Sequence, residues 1–177
     1  MKKQSIILIS CDHFEKDLTD DIVKAIVHEF QHPVVFKEYD FEISNFYFPG
    51  RRQYDANKIL KEVSEMVLPG SFKKIGLFRV DLFIPILTYI FGQAFLNGNT
   101  GIVSLHRLRN ELYGIKQSKT ILNERFKKVV IHEIGHMFGL IHCQNPICVM
   151  RSSTYVEDID QKSQNLCAKC KTEIGIS

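Results

Sequence analysis

Several features are missing from this chain, and each absence narrows what it can be. No run of 18 or more apolar residues exists, so no transmembrane helix and no membrane partner is expected. There is no dense block of Lys or Arg. With 23 basic and 20 acidic residues the net charge is +3, and charge alone gives no reason to expect a nucleic-acid partner. No internal repeat, low-complexity tract or long linker divides the chain, and 177 residues fit one domain with a sizeable core. At 45% hydrophobic and 24% charged, the composition is that of a globular protein rather than a disordered one. A credible signal peptide is also lacking. Met1-Lys2-Lys3 begins like one, and residues 8–11 (L-I-S-C) resemble a lipoprotein cleavage site. The apolar segment, residues 6–9, is too short for such a leader and reads instead as a first β-strand, so the expected location is cytoplasmic.

What is present is organised around residues 131–150, I-H-E-I-G-H-M-F-G-L-I-H-C-Q-N-P-I-C-V-M. His132 and His136 are four apart, which on a helix puts both imidazoles on one face, able to chelate a single zinc. Glu133, beside the first ligand, is placed to act as general base. Gly139 can take a positive φ and end the helix, letting the chain reverse and deliver His142 as third ligand. Three protein ligands leave a fourth position open, as catalytic zinc requires. Cys143, Cys148, Cys167 and Cys170 crowd into the last 35 residues, whereas Cys11 stands alone. In a chain without a credible leader, such a set, ending in C-x-x-C, reads as a closed structural zinc site in a reducing compartment rather than as disulfides. Cys11 is expected to be a buried strand-end residue.

In chain order, residues 5–10 form a first strand. Phe14, Leu18, Ile22, Ile26 and Phe30 mark an amphipathic helix that stops near His32-Pro33, and residues 34–41 form a second strand. Asp55 caps a helix carrying Ile59, Leu60, Val63 and Val67, and residues 75–80 form a third strand. Residues 87–95 and 101–108 flank Asn97-Gly98 as two arms of a hairpin. The arm around Gly92 is the expected edge strand, where a bare backbone admits close approach and an extended substrate can add. A long helix from Ser118 or Thr120 carries the first two histidines. The expected fold is therefore α/β, a mostly parallel sheet with an antiparallel edge strand packed by helices. Residues 1–142 form the main subdomain with the active-site helix, and residues 143–177 a small zinc-braced C-terminal subdomain.

The combined pattern H-E-x-x-H-x-x-G-x-x-H-C-x4-C-x-M…C-x-x-C resembles that of the archaemetzincins, a metzincin-clan family of zinc metallopeptidases. Residues 81–85 (D-L-F-I-P), 91–94 (F-G-Q-A), 103–105 (V-S-L) and 107–109 (R-L-R) are similar to stretches upstream of the motif in that family. The resemblance implies a metzincin-like fold and two zinc ions, a catalytic one on His132, His136 and His142 and a structural one on the four cysteines. It also implies Glu133 as base, Met150 as a Met-turn beneath the catalytic metal, a peptide or protein substrate, and aminopeptidase-like activity ascribed to family members. Some metzincins carry a tyrosine two residues after that methionine; here the position is Ser152. Tyr155 and His106 are weaker candidates for the cleft, and Glu157 is an acidic alternative to His142. The rival to a peptidase is a zinc-stabilised protein-binding module with a vestigial or occluded site. The two differ in whether a groove along the Gly92 edge reaches the histidines.

Overall fold

The computed structural model describes residues 4–176; Met1, Lys2 and Lys3, the basic start of the leader-like stretch, lie outside the described residues. Ser5–Ser10 is strand β1, and its side chains are buried on both faces of the sheet. Lys16–Phe30 is helix α1, with Leu18, Ile22, Ile26 and Phe30 on its buried stripe. Val34–Glu38 is β2, three residues shorter than expected. Tyr47–Phe48 and Gln53–Asp55 are two short strands, β3 and β4. Asp55 caps α2, Ala56–Glu65, by accepting a hydrogen bond from the Lys58 amide at 3.2 Å. That helix stops before Val67, which is 89% exposed and sits two residues ahead of Pro69. Ser71–Phe78 is β5, Leu82–Ile84 β6, Leu87–Ile90 β7, Gly92–Ala94 β8 and Thr100–Ser104 β9. Helix α3, Lys119–Met137, begins with Ser118 accepting from the Ile121 amide, and is followed by α4, Val156–Gln161, and α5, Ala168–Glu173.

The main sheet has the order β2-β1-β5-β9-β8, its first four strands parallel and β8 antiparallel at the edge. Period-two alternation explains its three layers. Ile6 and Leu8 face one side with Ile75, Leu77 and Val103, covered by α1 and α3. Ile7 and Ile9 face the other with Phe78 and Ile102, covered by Ile59, Leu60 and Val63 of α2. Phe14, just ahead of α1, stacks on Phe126 of α3 at 5.5 Å between ring centroids. Among the described residues no helix is long and apolar enough to cross a membrane.

Two expectations need correction. The stretch 87–95 is not one strand. It breaks at Phe91, and β7 leaves the main sheet to pair with β6 in a second sheet, β3-β4-β6-β7. Phe91 turns its ring into the core, which redirects the backbone on either side of it. The second hairpin arm ends at Ser104 rather than at residue 108. The Ser104 hydroxyl donates to the Val80 carbonyl and accepts from the His106 amide, starting a 3₁₀ turn over His106–Leu108. His106 is therefore off the strand and packs against Arg109 instead of facing the histidine cluster.

Candidate active site

Helix α3 brings His132 and His136 onto one face, and Gly139, at φ +95°, turns the chain back so that His142 joins them. The three ring-nitrogen ligand atoms lie within 4.8 Å of one another. The hydrogen bonds around them determine what they can bind. His132 Nδ1 is 2.8 Å from the Val149 carbonyl and His136 Nδ1 is 2.7 Å from the Leu140 carbonyl. A carbonyl can only accept, so each Nδ1 must donate, and each Nε2 is left with a lone pair. Those two Nε2 atoms face each other at 3.1 Å. Two acceptors cannot bond one another; a shared cation satisfies both. Burial lowers the basicity of His132, His136 and His142, most strongly for His132, keeping all three in the neutral form that ligates metal.

Glu133 is buried, and burial pushes its carboxyl up to about 8 against the opposing pull of the Lys162 ammonium. Its side chain occupies the space above Gly92. A Cβ at residue 92 would stand 2.8 Å from Glu133 Cγ and 2.8 Å from the Ile102 carbonyl oxygen. The bare backbone at Gly92 therefore makes room for Glu133. Gly135 does the same for Met150, whose Sδ would lie 2.3 Å from a Cβ there. Met150 is completely buried and packs into the helix between the two histidine turns.

The four cysteines form the second cluster. All are free thiols, with Cys143 and Cys167 Sγ 3.8 Å apart and Cys148 and Cys170 Sγ also 3.8 Å apart. A tetrahedral zinc with Zn–S of about 2.3 Å spaces its sulfurs at roughly 3.8 Å. The donor set thus fits a closed zinc site and is far too open for disulfides. Cys167 is drawn down to about 7 even though desolvation opposes it, because backbone and neighbouring thiol hydrogen bonds favour its thiolate. The two clusters are joined through the backbone. The Cys143 amide donates to the Met150 carbonyl, and Val149, whose carbonyl orients His132, donates its amide to Asn165. Glu29 of α1, 1% exposed, accepts from the Leu166 amide at 2.9 Å and anchors the C-terminal segment.

A cleft of about 540 Å³ runs from Gly92 and β7 across Glu133 and the three histidines to residues 152–155. Tyr155, 62% exposed, lines its rim; Glu157 belongs neither to the histidine cluster nor to the cleft lining. Three lining groups escaped sequence reasoning. The Oε1 of Gln93 and the Oγ of Ser153 are buried without hydrogen-bond partners, and Lys162 reaches the cleft from the end of α4. Gln93 falls in the 91–94 stretch that resembles the family, whereas neither Ser153 nor Lys162 sits in a recognisable spacing pattern. Gly135, by contrast, left a signal, since glycine inside a helix is costly without a packing reason.

Comparison with known proteins agrees with this geometry. Residues 41–175 match the model of peptidase family M54. The archaemetzincin of Methanocaldococcus jannaschii is 37% identical over 161 residues, covering 87% of this chain and 86% of that protein. The crystal structure of archaemetzincin from Methanopyrus kandleri superposes with a TM-score of 0.85 at 28% identity, covering 97% of this chain and 93% of the other. That of a zinc-dependent peptidase from Methanocorpusculum labreanum gives 0.82 at 29%, covering 96% and 100%. With the family model spanning most of its length, the chain belongs to peptidase family M54, the archaemetzincin zinc metallopeptidases.

Proposed function

We propose that His132, His136 and His142 hold a catalytic zinc, that Cys143, Cys148, Cys167 and Cys170 hold a second, structural zinc, and that Glu133 is the general base of peptide-bond hydrolysis. The observation that carries this reading is the pair of Nε2 lone pairs 3.1 Å apart, with both Nδ1 atoms committed to carbonyls. Zinc in that position supplies Lewis-acid polarisation of the scissile carbonyl and acidifies water. Glu133 takes a proton from the attacking water at its carboxylate and delivers it to the leaving amine nitrogen. Met150, as the Met-turn, supports the histidines from below without ligating. An extended peptide adds along β8 at Gly92, the edge strand of the main sheet.

In this reading residues 1–142 form the catalytic subdomain and residues 143–177 a brace that fixes His142. The enzyme works in the cytoplasm, and its action on small peptides is aminopeptidase-like. The binding-module alternative is disfavoured by a cleft that runs from the Gly92 edge to the histidines. Glu133→Gln tests the proposal. It should keep its zinc and lose peptide hydrolysis by about 10²- to 10⁴-fold; turnover at the wild-type rate would remove Glu133 from the mechanism.

A further inference from the structure

The chemistry above leaves Lys162 without a task. It is 4% exposed and borders the cleft with Glu133 and Ile159. Its ammonium donates one hydrogen bond, 2.8 Å, to the Arg151 carbonyl. Among the described residues no carboxylate stands within ion-pair distance of it, so up to two of its three donors are unspent. Desolvating a cation is expensive, and buried cations are normally paired. Two other buried lysines illustrate the usual solution. Lys73 donates to the carbonyls of Gly98 and Met137, and Lys74 to those of Ser64 and Met66. Lys162 has one such partner, the through-space attraction of the Glu133 carboxylate, and an open cleft.

Its neighbourhood supplies a second unspent donor. The carbonyl that holds the ammonium belongs to Arg151, two residues from Ser153, a residue of the cleft wall whose hydroxyl is buried just behind the surface without a partner. Ammonium and hydroxyl together complement the two oxygens of a carboxylate. Position narrows the ligand further. Glu133 must reach the leaving amine, so the wall around it faces the leaving half of the substrate. Val129, one helical turn before Glu133, and Ile159 line that wall with Lys162 and would accommodate an aliphatic stem.

We propose that Lys162 and Ser153 form a carboxylate-recognising corner on the leaving-group side of the cleft, so that the peptidase prefers substrates whose leaving half carries a carboxylate. This rests on the peptidase reading of the site. The carboxylate comes from an Asp or Glu side chain after the scissile bond or from a free C-terminus close to it, and one experiment separates the two. The zinc-loaded protein is titrated, by NMR and without turnover, with aspartic acid α-amide (side-chain carboxylate alone), asparagine (α-carboxylate alone) and asparagine amide (neither). At least one carboxylate mimic should bind on the order of tenfold tighter than asparagine amide. It should shift the Lys162 side-chain resonances, and the better mimic identifies the source. Lys162→Met should abolish the preference at unchanged zinc content, and Ser153→Ala should weaken it.

Equal binding of all three mimics overturns the inference. So does a preference that Lys162→Met retains, which would mean ligation by zinc alone. If Lys162→Met does not fold, the Lys162 resonances of the wild-type protein decide: no carboxylate-specific shift overturns the proposal. A peptide-library digest run alongside separates the two readings. Carboxylate preference without cleavage supports this corner and faults the peptidase reading; cleavage indifferent to carboxylates on the leaving half faults the corner alone.

Discussion

Gly92→Ala probes the placement of Glu133 most directly. The backbone there lies outside the left-handed region, so alanine meets no conformational barrier and the effect is one of space. The added Cβ would lie 2.8 Å from the Ile102 carbonyl oxygen, 2.8 Å from Glu133 Cγ and 3.0 Å from Glu133 Oε1. Reaching ordinary contact requires a movement of about 0.6 Å. Ile102 cannot supply it, because β9 is buried throughout and paired on both sides, to β5 and β8. Either β8 shifts outward or the Glu133 side chain swings away. Overpacking of this kind costs about 1–3 kcal/mol. Alanine recovers roughly 0.4–1 kcal/mol by restricting the unfolded chain. The net loss, at most about 2.6 kcal/mol, should lower Tm by up to roughly 10 °C in a chain of this size. The catalytic effect should be larger than the stability effect, since a misplaced base costs on the order of 10- to 100-fold in kcat. Turnover, melting temperature and zinc content are measured on one preparation. Wild-type kcat with an unchanged Tm would refute the steric reasoning. Lost activity accompanied by lost catalytic zinc would show that Gly92 protects the metal site rather than the base.

Three further outcomes are expected. Cys167→Ser should bind one zinc equivalent fewer by elemental analysis and loosen the C-terminal segment; an unchanged metal count would exclude a four-thiolate site. Arg125→Met should cost about 2–4 kcal/mol in urea denaturation, because the buried guanidinium donates to the Leu108 carbonyl, Asn110 Oδ1 and both oxygens of Asp160; a loss below about 1 kcal/mol would mean water replaces these bonds. Burial, reinforced by the neighbouring Asp12 charge, pushes the Cys11 thiol up to about 12, so folded protein at pH 8 should resist alkylation there until denaturant is added. Since the folded value lies above the ordinary 9.0, its stabilising contribution is complete below pH 9 and is lost as pH rises from 9 to 12. Labelling at the rate of a free thiol would contradict this.

Much of the molecule is legible in its sequence. The four-residue spacing of Leu18, Ile22, Ile26 and Phe30 gives α1, and the continuous apolar run at β1 gives a strand buried on both faces. Asp55 and Ser118 cap α2 and α3 as their residue types suggest. The spacing of His132 and His136 places two imidazoles on one face because helix geometry leaves no alternative, and Gly139 turns the chain with the positive φ that glycine permits. All of this is local: it depends on neighbours within a few residues, whose periodicity is written in the order of side chains.

What tertiary structure alone decided depends on partners distant in the chain. The break at Phe91 follows from competition between two sheets for one apolar stretch, and nothing in residues 87–95 distinguishes a strand that stays from one that leaves. The tautomer of His132 is set by the Val149 carbonyl, 17 residues away, and the room for Glu133 by Gly92, on the edge strand. Lys162 joins the cleft because α4 folds back against α3, bringing its ammonium to Arg151 and to the cleft wall shared with Glu133. Sequence spacing therefore determined which residues could ligate a metal. Packing between remote segments determined which nitrogen of His132 and of His136 is left free to ligate, where Glu133 stands, and which buried ammonium borders the cleft.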